Sequence, residues 1–292
     1  MTSQALERPS RRDAGALRQR LESLEREAGA KALAVAVHDT ASGEEFGVQP
    51  DRWFHAASTI KVAILLGVFG AFHRGELFPQ SRLHVRNRFF SAVDGQSFRV
   101  ESDRDANSTV HEAIGKTMRV VELAHHMIVT SSNLATNLLL DLVGVERIQR
   151  TLEQFGIEGV DLRRGVEDER AFEAGISNRV TARGLASLFQ LIVEGKAFTP
   201  ELSRGMLEIL QAQQFRSGIP AKLPKGVRVA NKTGEISTIA HDAGIVFPPD
   251  RDPYVVVVLT EWDPEGGRRM NTIASVSRAI YDYLVVPEGS DG

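Results

Sequence analysis

The sequence predicts an α/β fold in which one antiparallel sheet is built from both chain ends. Strand-like segments occur near residue 31 and again beyond residue 227, and helical segments fill most of 118–215. No internal repeat or low-complexity linker divides the 292 residues into independent units. We therefore expect a sheet flanked by helices plus a mostly helical subdomain. The predicted division is a sheet subdomain from 1–57 and 218–292, and a helical subdomain, 58–217, with a hairpin insertion near 84–108.

The first elements are a helix and a hairpin. Leu17, Leu21 and Leu24 stand at helical spacing within 13–28, and charged residues fill the other positions. Residues 31–38 are β-prone, and a Thr-Ala-Ser-Gly turn leads to a second short strand that reaches Val48. This order indicates the first layer of a sheet domain.

A buried helix follows at 58–72, because this segment is apolar on every side. Within the predicted insertion, the Asp94-Gly95 step is a strong hairpin signal. Near the end, strand-like runs return before a closing helix at 271–286. These runs are 227–232, 240–247 and 254–260.

Composition excludes several function classes. The net charge of −3 gives no electrostatic case for nucleic acid. The absence of cysteine excludes disulfides, thiolate catalysis and cysteine-ligated zinc. No apolar run is long enough to span a bilayer, and the first 20 residues carry arginines without an apolar run behind them, so no secretory leader is expected. As written, the chain is expected in the cytoplasm.

The first chemical motif is Ser58-Thr59-Ile60-Lys61, at the head of the buried helix. At a spacing of three, the Ser58 and Lys61 side chains share one helical face. A serine hydroxyl needs a base to become a nucleophile, and a lysine becomes that base when burial or a second cation lowers its pKa. Alone, the motif is also compatible with Ser58 as a plain helix cap.

Two further motifs strengthen the assignment. Ser131-Ser132-Asn133 opens another apolar helix, where Ser131 could relay a proton and Asn133 could hold a substrate amide. Lys232-Thr233-Gly234 ends a predicted strand, where Lys232 and Thr233 could hold a carboxylate. Gly234 would let a substrate lie along the strand edge.

Together, and in this order, the three motifs resemble the signature of class A β-lactamases and penicillin-binding proteins over nearly the whole chain. The resemblance implies a β-lactamase/transpeptidase-like fold, with Ser58 as the acylated nucleophile, Lys61 as its base partner and Ser131 as the proton shuttle. It also implies substrate-binding roles for further residues. These are Asn133 for a side-chain amide, Lys232 and Thr233 for a carboxylate beside Gly234, and the backbone N–H groups of Ser58 and Glu235 for the oxyanion.

The sequence departs from class A enzymes at the loop that supplies the deacylating glutamate. Glu167 falls where that glutamate is expected, and Glu169 is the second candidate. The Leu-Asn pair that normally follows is missing, and the aspartate at the loop's far end is replaced around Asn178-Arg179. Ser132 stands where class A usually has aspartate. The 83–108 segment is longer than the family's connection, and we expect it to overhang the site.

The predicted function is a class A-like β-lactamase that acts through an acyl-enzyme on a small-molecule β-lactam, with no cofactor and no metal. The alternatives are a D,D-peptidase-like penicillin-binding protein acting on a peptidoglycan-like peptide, an esterase with slow deacylation, and a non-catalytic β-lactam or peptidoglycan sensor. The resemblance also suggests a periplasmic or secreted protein, so the sequence leaves the compartment open.

Three lookalike motifs are given ordinary interpretations. Gly115-Lys116-Thr117 lacks the glycine of a phosphate-binding loop, since Val110 stands there. His125-His126 point apart on a helix without an evident third metal ligand. His241-Asp242 is assigned to strand-end hydrogen bonding. No Gly-x-Ser-x-Gly elbow occurs, which argues against an α/β-hydrolase.

Overall fold

Both ends of the chain contribute strands to one central sheet. The computed structural model describes residues 13–106 and 108–286. The helices are α1 (Ala14–Ala28), α2 (Lys61–His73), α3 (Thr109–Glu112), α4 (Val120–Val129), α5 (Asn133–Val143), α6 (Val145–Gln154), α7 (Glu169–Glu173), α8 (Ala182–Val193), α9 (Pro200–Gln211) and α10 (Arg269–Val285). The strands are β1 (Ala32–Asp39), β2 (Glu45–Val48), β3 (Phe54–His55), β4 (Arg82–His84), β5 (Phe89–Phe90), β6 (Ser97–Phe98), β7 (Thr117–Arg119), β8 (Val160–Asp161), β9 (Arg179–Val180), β10 (Arg228–Ile236), β11 (Ile239–Phe247) and β12 (Tyr254–Glu261).

The central sheet has the strand order β10-β11-β12-β1-β2, and every pairing is antiparallel. The N-terminal strand β1 pairs with the C-terminal strand β12 from Ala32 opposite Glu261 to Asp39 opposite Tyr254. The predicted fold class, an antiparallel sheet built from both ends with a mostly helical part, is therefore confirmed.

The sheet is buried on both faces, and β1 shows why. Its residues alternate, so that Ala32, Ala34 and Ala36 pack toward the helices of the chain's middle. Leu33, Val35 and Val37 face the opposite core, which α1 and α10 cover. Small residues on one face and larger ones on the other set how closely each helical layer approaches.

Helix α2 lies at the centre of the larger core, as its all-apolar sequence predicts. Eleven consecutive residues, from Lys61 to Ala71, are buried. Gly67 lets α6 approach, because a Cβ there would lie 2.5 Å from Ile148 Cγ1. The helix thereby holds the residue at its head, Lys61, in a fixed and dry position.

The predicted hairpin in the insertion is present but short. Strands β5 and β6 pair through Phe89–Phe98 and Phe90–Ser97 contacts, and Gly95 adopts φ of 67° in the connecting turn. The subdomain boundaries stay a prediction. Helix α8, within 58–217, packs against β1, β11 and β12 of the sheet. Parts of the predicted ranges, at 1–12, 107 and 287–292, lie outside the described residues.

No helix within residues 13–106 and 108–286 combines the length and apolar character needed to cross a bilayer.

Candidate active site

Ser58 lies in a four-residue 3-10 turn, Ala57–Ile60, and not in the α-helix that the sequence predicted to begin there. Helix α2 begins at Lys61, whose side chain is fully buried. The Ser58 and Lys61 side chains still lie on one side of the backbone, because residues three apart eclipse in a 3-10 turn. Ala57 enters the turn with φ of 44°, a conformation that costs a non-glycine residue about 1–3 kcal/mol.

The Lys61 amine is held by three acceptors. Its Nζ donates to the Ser131 carbonyl at 2.7 Å, to Ser131 Oγ at 3.1 Å and to Asn133 Oδ1 at 2.7 Å. Burial lowers the pKa of Lys61 to about 7, although the carboxylates of Asp105 and Glu167 oppose the shift. Lys61 therefore exchanges its proton near neutral pH, as a general base requires.

Ser131 joins Lys61 to a second lysine. The Lys232 Nζ donates to Ser131 Oγ at 3.0 Å and to the Thr233 carbonyl at 2.8 Å. Burial, followed by repulsion from Lys61, sets the pKa of Lys232 well below its ordinary value. Ser131 has φ of 58°, so its backbone is strained at the point where its hydroxyl meets both amines.

The Lys232-Thr233-Gly234 motif lies inside strand β10, and the prediction that it ends the strand is wrong. Pairing with β11 continues to Ile236 opposite Ile239. The strand passes directly over the nucleophile's turn, since a Cβ on Gly234 would lie 3.0 Å from the Ser58 backbone nitrogen. Glycine is therefore needed for this close approach.

Glu167 approaches the same cluster from the 164–178 loop. Its Oε1 accepts from Asn133 Nδ2 at 2.7 Å, and its Oε2 accepts from the Glu101 backbone N–H at 3.1 Å. Burial raises the pKa of this half-buried carboxyl above its ordinary value despite both hydrogen bonds. Glu167 also adopts φ of 60°. The second candidate, Glu169, is exposed and is bound to Arg104 at 2.6 Å.

Asn178 closes the neck of this loop, near the position where the sequence analysis noted a missing aspartate. Its Oδ1 accepts from the backbone N–H groups of Arg163 at 2.7 Å and Arg164 at 3.1 Å, and its Nδ2 donates to the Arg164 carbonyl at 3.0 Å. The Arg164 guanidinium donates to the Ile176 carbonyl at 2.7 Å. The loop neck is thus held by hydrogen bonds from Asn178, and the Arg164 guanidinium binds a neutral carbonyl there.

Two residues at the site were missed by the sequence analysis. Asn137, on α5, exchanges two hydrogen bonds with the Val166 backbone at 2.9 and 2.8 Å and so holds the loop next to Glu167. Asp105, in the insertion, accepts from the start of α5. Spacing gave no signal for either, since both act across contacts between distant segments.

The insertion lies against the loop as well as against α5. Beside the Glu101 and Arg104 contacts, the Ala92 N–H donates to Asp168 Oδ2 at 2.9 Å. These contacts are with the loop, and no described residue of 83–108 lines the cleft that contains Ser58, so the overhang stays a prediction.

A cleft of about 270 Å³ opens in front of Ser58. Its walls include Asn133, Glu167 and Glu235, with Phe172 and His55 in edge contact at 6.0 Å between ring centroids. A larger cavity of about 510 Å³ lies away from these groups, behind β2. We assign the chemistry to the smaller cleft because it alone of the two borders Ser58 and Glu167.

Two of the lookalike motifs lie at or within strands. Gly115-Lys116-Thr117 leads into strand β7, whereas a phosphate-binding loop opens a helix. His241 Nδ1 accepts from the Thr260 N–H at 3.1 Å and Nε2 lies 3.0 Å from the His55 carbonyl, and burial lowers its pKa to about 4. It lies mid-strand, so the strand-end placement is wrong although the hydrogen-bonding role agrees. Among the described residues, no three His, Asp or Glu side chains are grouped to hold a metal.

The chain is similar to known β-lactamases in both sequence and structure. The family model of the "Beta-lactamase enzyme family" matches residues 16–284. A β-lactamase of Streptomyces albus G is 27% identical over 91% of this chain and 83% of its own length. A β-lactamase from Sphaerobacter thermophilus has a similar structure, with a TM-score of 0.80 and 26% identity over 94% of this chain and 99% of that one. A PBP-A mutant, solved as its acyl-enzyme complex with penicillin G, has a TM-score of 0.79 at 26% identity over 94% of this chain and 98% of that one.

Proposed function

The chain belongs to the β-lactamase enzyme family and is a serine β-lactamase-like hydrolase, and from this premise we propose which residues perform its reaction. Ser58 is the nucleophile, Lys61 its base, Ser131 the proton relay and Glu167 the base for deacylation. The observation that carries the proposal is the buried Lys61 amine, three residues after Ser58 in the chain, which three acceptors on Ser131 and Asn133 orient and whose pKa is about 7.

Acylation begins when neutral Lys61 takes the proton of the Ser58 hydroxyl. In the structure, acceptors on Ser131 and Asn133 take all three protons of the Lys61 ammonium group. Once it has lost a proton, the amine therefore turns its lone pair from one of these acceptors toward the Ser58 hydroxyl. Ser58 Oγ then attacks the substrate carbonyl. The backbone N–H groups of Ser58 and Glu235 face the developing oxyanion, where fixed donors contribute most to the rate.

The tetrahedral intermediate collapses to an ester on Ser58 as the carbon–nitrogen bond breaks. The leaving nitrogen takes a proton from Ser131 Oγ, which Lys61 and Lys232 both contact and can resupply. Lys232 and Thr233 hold the substrate carboxylate beside the strand edge at Gly234. Asn133 binds the substrate amide, although its own amide also holds Glu167 and Lys61.

Deacylation follows when Glu167 takes a proton from a water that attacks the ester carbonyl. The bond between the carbonyl carbon and Ser58 Oγ then breaks, and Oγ takes up the proton that Glu167 removed from the water. The raised pKa makes this carboxylate a stronger base than an exposed one. Glu169 is turned to Arg104 and is a poor alternative.

The substrate is a small molecule, and we propose a β-lactam. Support comes from the cleft of about 270 Å³, which suits a compact ligand, and from the names of the similar proteins. A mass-spectrometric time course with benzylpenicillin and a chromogenic cephalosporin tests the proposal. We expect product formation with a transient adduct of one acyl group on Ser58, and no adduct on Ser58→Ala.

An adduct on Ser58→Ala would overturn the assignment of the nucleophile. A stoichiometric adduct that persists for hours would keep the nucleophile and remove Glu167 as a working base, as in the penicillin-binding alternative. No adduct and no turnover would overturn β-lactams as the substrate.

A further inference from the structure

The start of helix α5 is capped by a side chain from a distant segment. Asp105 follows the short 3-10 turn Ser102–Arg104 of the insertion. Its Oδ1 accepts from the Asn133 N–H at 2.8 Å, and its Oδ2 accepts from Ser132 Oγ at 2.9 Å and the Leu134 N–H at 3.1 Å. One carboxylate therefore satisfies two backbone donors of the helix and the hydroxyl of its N-cap residue.

The Asp105 carboxylate has no exposed surface, and His111 Nε2 lies 3.2 Å from Oδ2 as a further partner. A buried carboxylate is stable only when such donors surround it. The positive end of the α5 dipole favours its negative charge. Removing the carboxylate would leave the backbone N–H groups of Asn133 and Leu134 without their acceptor in a water-poor environment.

The residues that Asp105 contacts are next to those that hold Lys61. Ser131 directly precedes the capped segment, and Asn133 donates its backbone N–H to Asp105 while its side chain accepts from Lys61. Ser131 is in a strained conformation, with φ of 58°, which persists only where surrounding contacts fix it.

We propose that Asp105 is a positioning residue for the acylation of Ser58, which fixes the 131–134 backbone so that Ser131 and Asn133 both reach Lys61. The N-cap residue of α5, Ser132, carries no charge, so the carboxylate at this helix start comes from the insertion. The proposal rests on the function proposed above, because it concerns the same acylation step.

The test compares Asp105→Asn with Asp103→Asn. Asp103 is exposed on the same turn, so the control makes the same charge change away from α5. We expect Asp105→Asn to slow acylation of Ser58 by about 10- to 100-fold, the loss that misplaced catalytic groups cause, and Asp103→Asn to leave it unchanged. The rate is measured as adduct formation with benzylpenicillin and, separately, with a fluorophosphonate probe of serine hydrolases.

The pH dependence of Ser58 acylation distinguishes loss of the Asp105 charge from loosened packing around Lys61. Three charged groups face Lys61: Lys232 from β10, Glu167 from the loop and Asp105 from the insertion. Loss of the Asp105 charge lowers the pKa of Lys61, so the acid limb of acylation moves to lower pH. Loosened packing would admit water and move the limb to higher pH. The Lys61 titration is also followed by NMR, which needs no activity.

The double variant Asp105→Asn with Ser132→Asp returns a carboxylate to the start of α5. We expect it to acylate within a few-fold of the parent. An Asp105→Asn protein with the parent's rate and Lys61 titration would overturn the proposal, as would a double variant that is inactive or insoluble. If the parent gives no penicillin adduct, the proposed function fails, whereas the fluorophosphonate rates and the NMR titration still decide the role of Asp105.

Discussion

The residues proposed for acylation and those proposed for deacylation are held in place differently. We call these two groups the acylation half and the deacylation half of the site. The acylation half has Lys61 on α2, Ser131 just before α5 and Lys232 inside β10, and both lysines are fully buried. The deacylation half places Glu167 on a loop that hydrogen bonds hold at its neck, its middle and its contact with the insertion. Groups on packed elements are fixed by the core, whereas a loop carboxylate depends on a few polar contacts. Perturbation of the loop should therefore change deacylation before it changes acylation.

The largest expected effect is on the acylation half. Lys61→Ala removes the base, and we expect acylation of Ser58 to fall by about 10²–10⁴-fold, the range of general-base catalysis. Stopped-flow acylation with a chromogenic cephalosporin measures the loss. Lys222→Ala, on an exposed lysine bound to Ser275 Oγ, is the control. A loss below about tenfold would mean that another group takes the Ser58 proton.

The next largest expected effect is on deacylation and leaves acylation nearly unchanged. Glu167→Gln keeps an acceptor for the Glu101 N–H but removes the base, so the acyl-enzyme should accumulate with deacylation slowed by about 10²-fold or more. Acylation should stay within a few-fold of the parent. Intact-mass spectrometry after rapid quenching measures both steps, with Glu169→Gln as the matched loop control. Unchanged turnover in Glu167→Gln, or accumulation in Glu169→Gln, would exclude Glu167 as the base.

The rates of acylation and deacylation should each fall at low pH, and each decline reports the titration of a different group. Acylation needs neutral Lys61, so its rate should fall about tenfold per unit below the pKa of about 7. Deacylation needs ionised Glu167, whose raised pKa places its acid limb above that of an ordinary glutamate. Single-turnover profiles for the two steps measure both limbs. An acylation rate independent of pH across this range would show that Lys61 does not titrate in the reaction.

The smallest effect concerns the loop alone. Asn178→Ala removes three hydrogen bonds at the loop neck, and a buried donor left unsatisfied costs about 1–3 kcal/mol. We expect deacylation to slow by about tenfold while acylation is nearly unchanged. Arg179→Ala, at the exposed neighbour that pairs with Asp161, is the control. Equal losses in the acylation and deacylation rates would show that the loop and the acylation half are not independent.

The sequence by itself determined the sheet built from both ends, the buried helix that follows Ser58 and the three motifs of the acylation half. These follow from local patterns: an all-apolar helix has to be buried, and alternating or β-branched runs form strands. The sequence also indicated that the 164–171 stretch differs from class A enzymes and that Glu167 precedes Glu169 as a candidate.

Only the tertiary structure decided how the site is held. The strand prediction ended near Lys232 because glycine and acidic residues have low β-propensity, but pairing with β11 extends the strand to Ile236. Asp105, Asn137 and Asn178 act on partners 28, 29 and 14 residues away in the chain. Such polar contacts carry no periodicity, because their geometry exists only after the core brings the segments together.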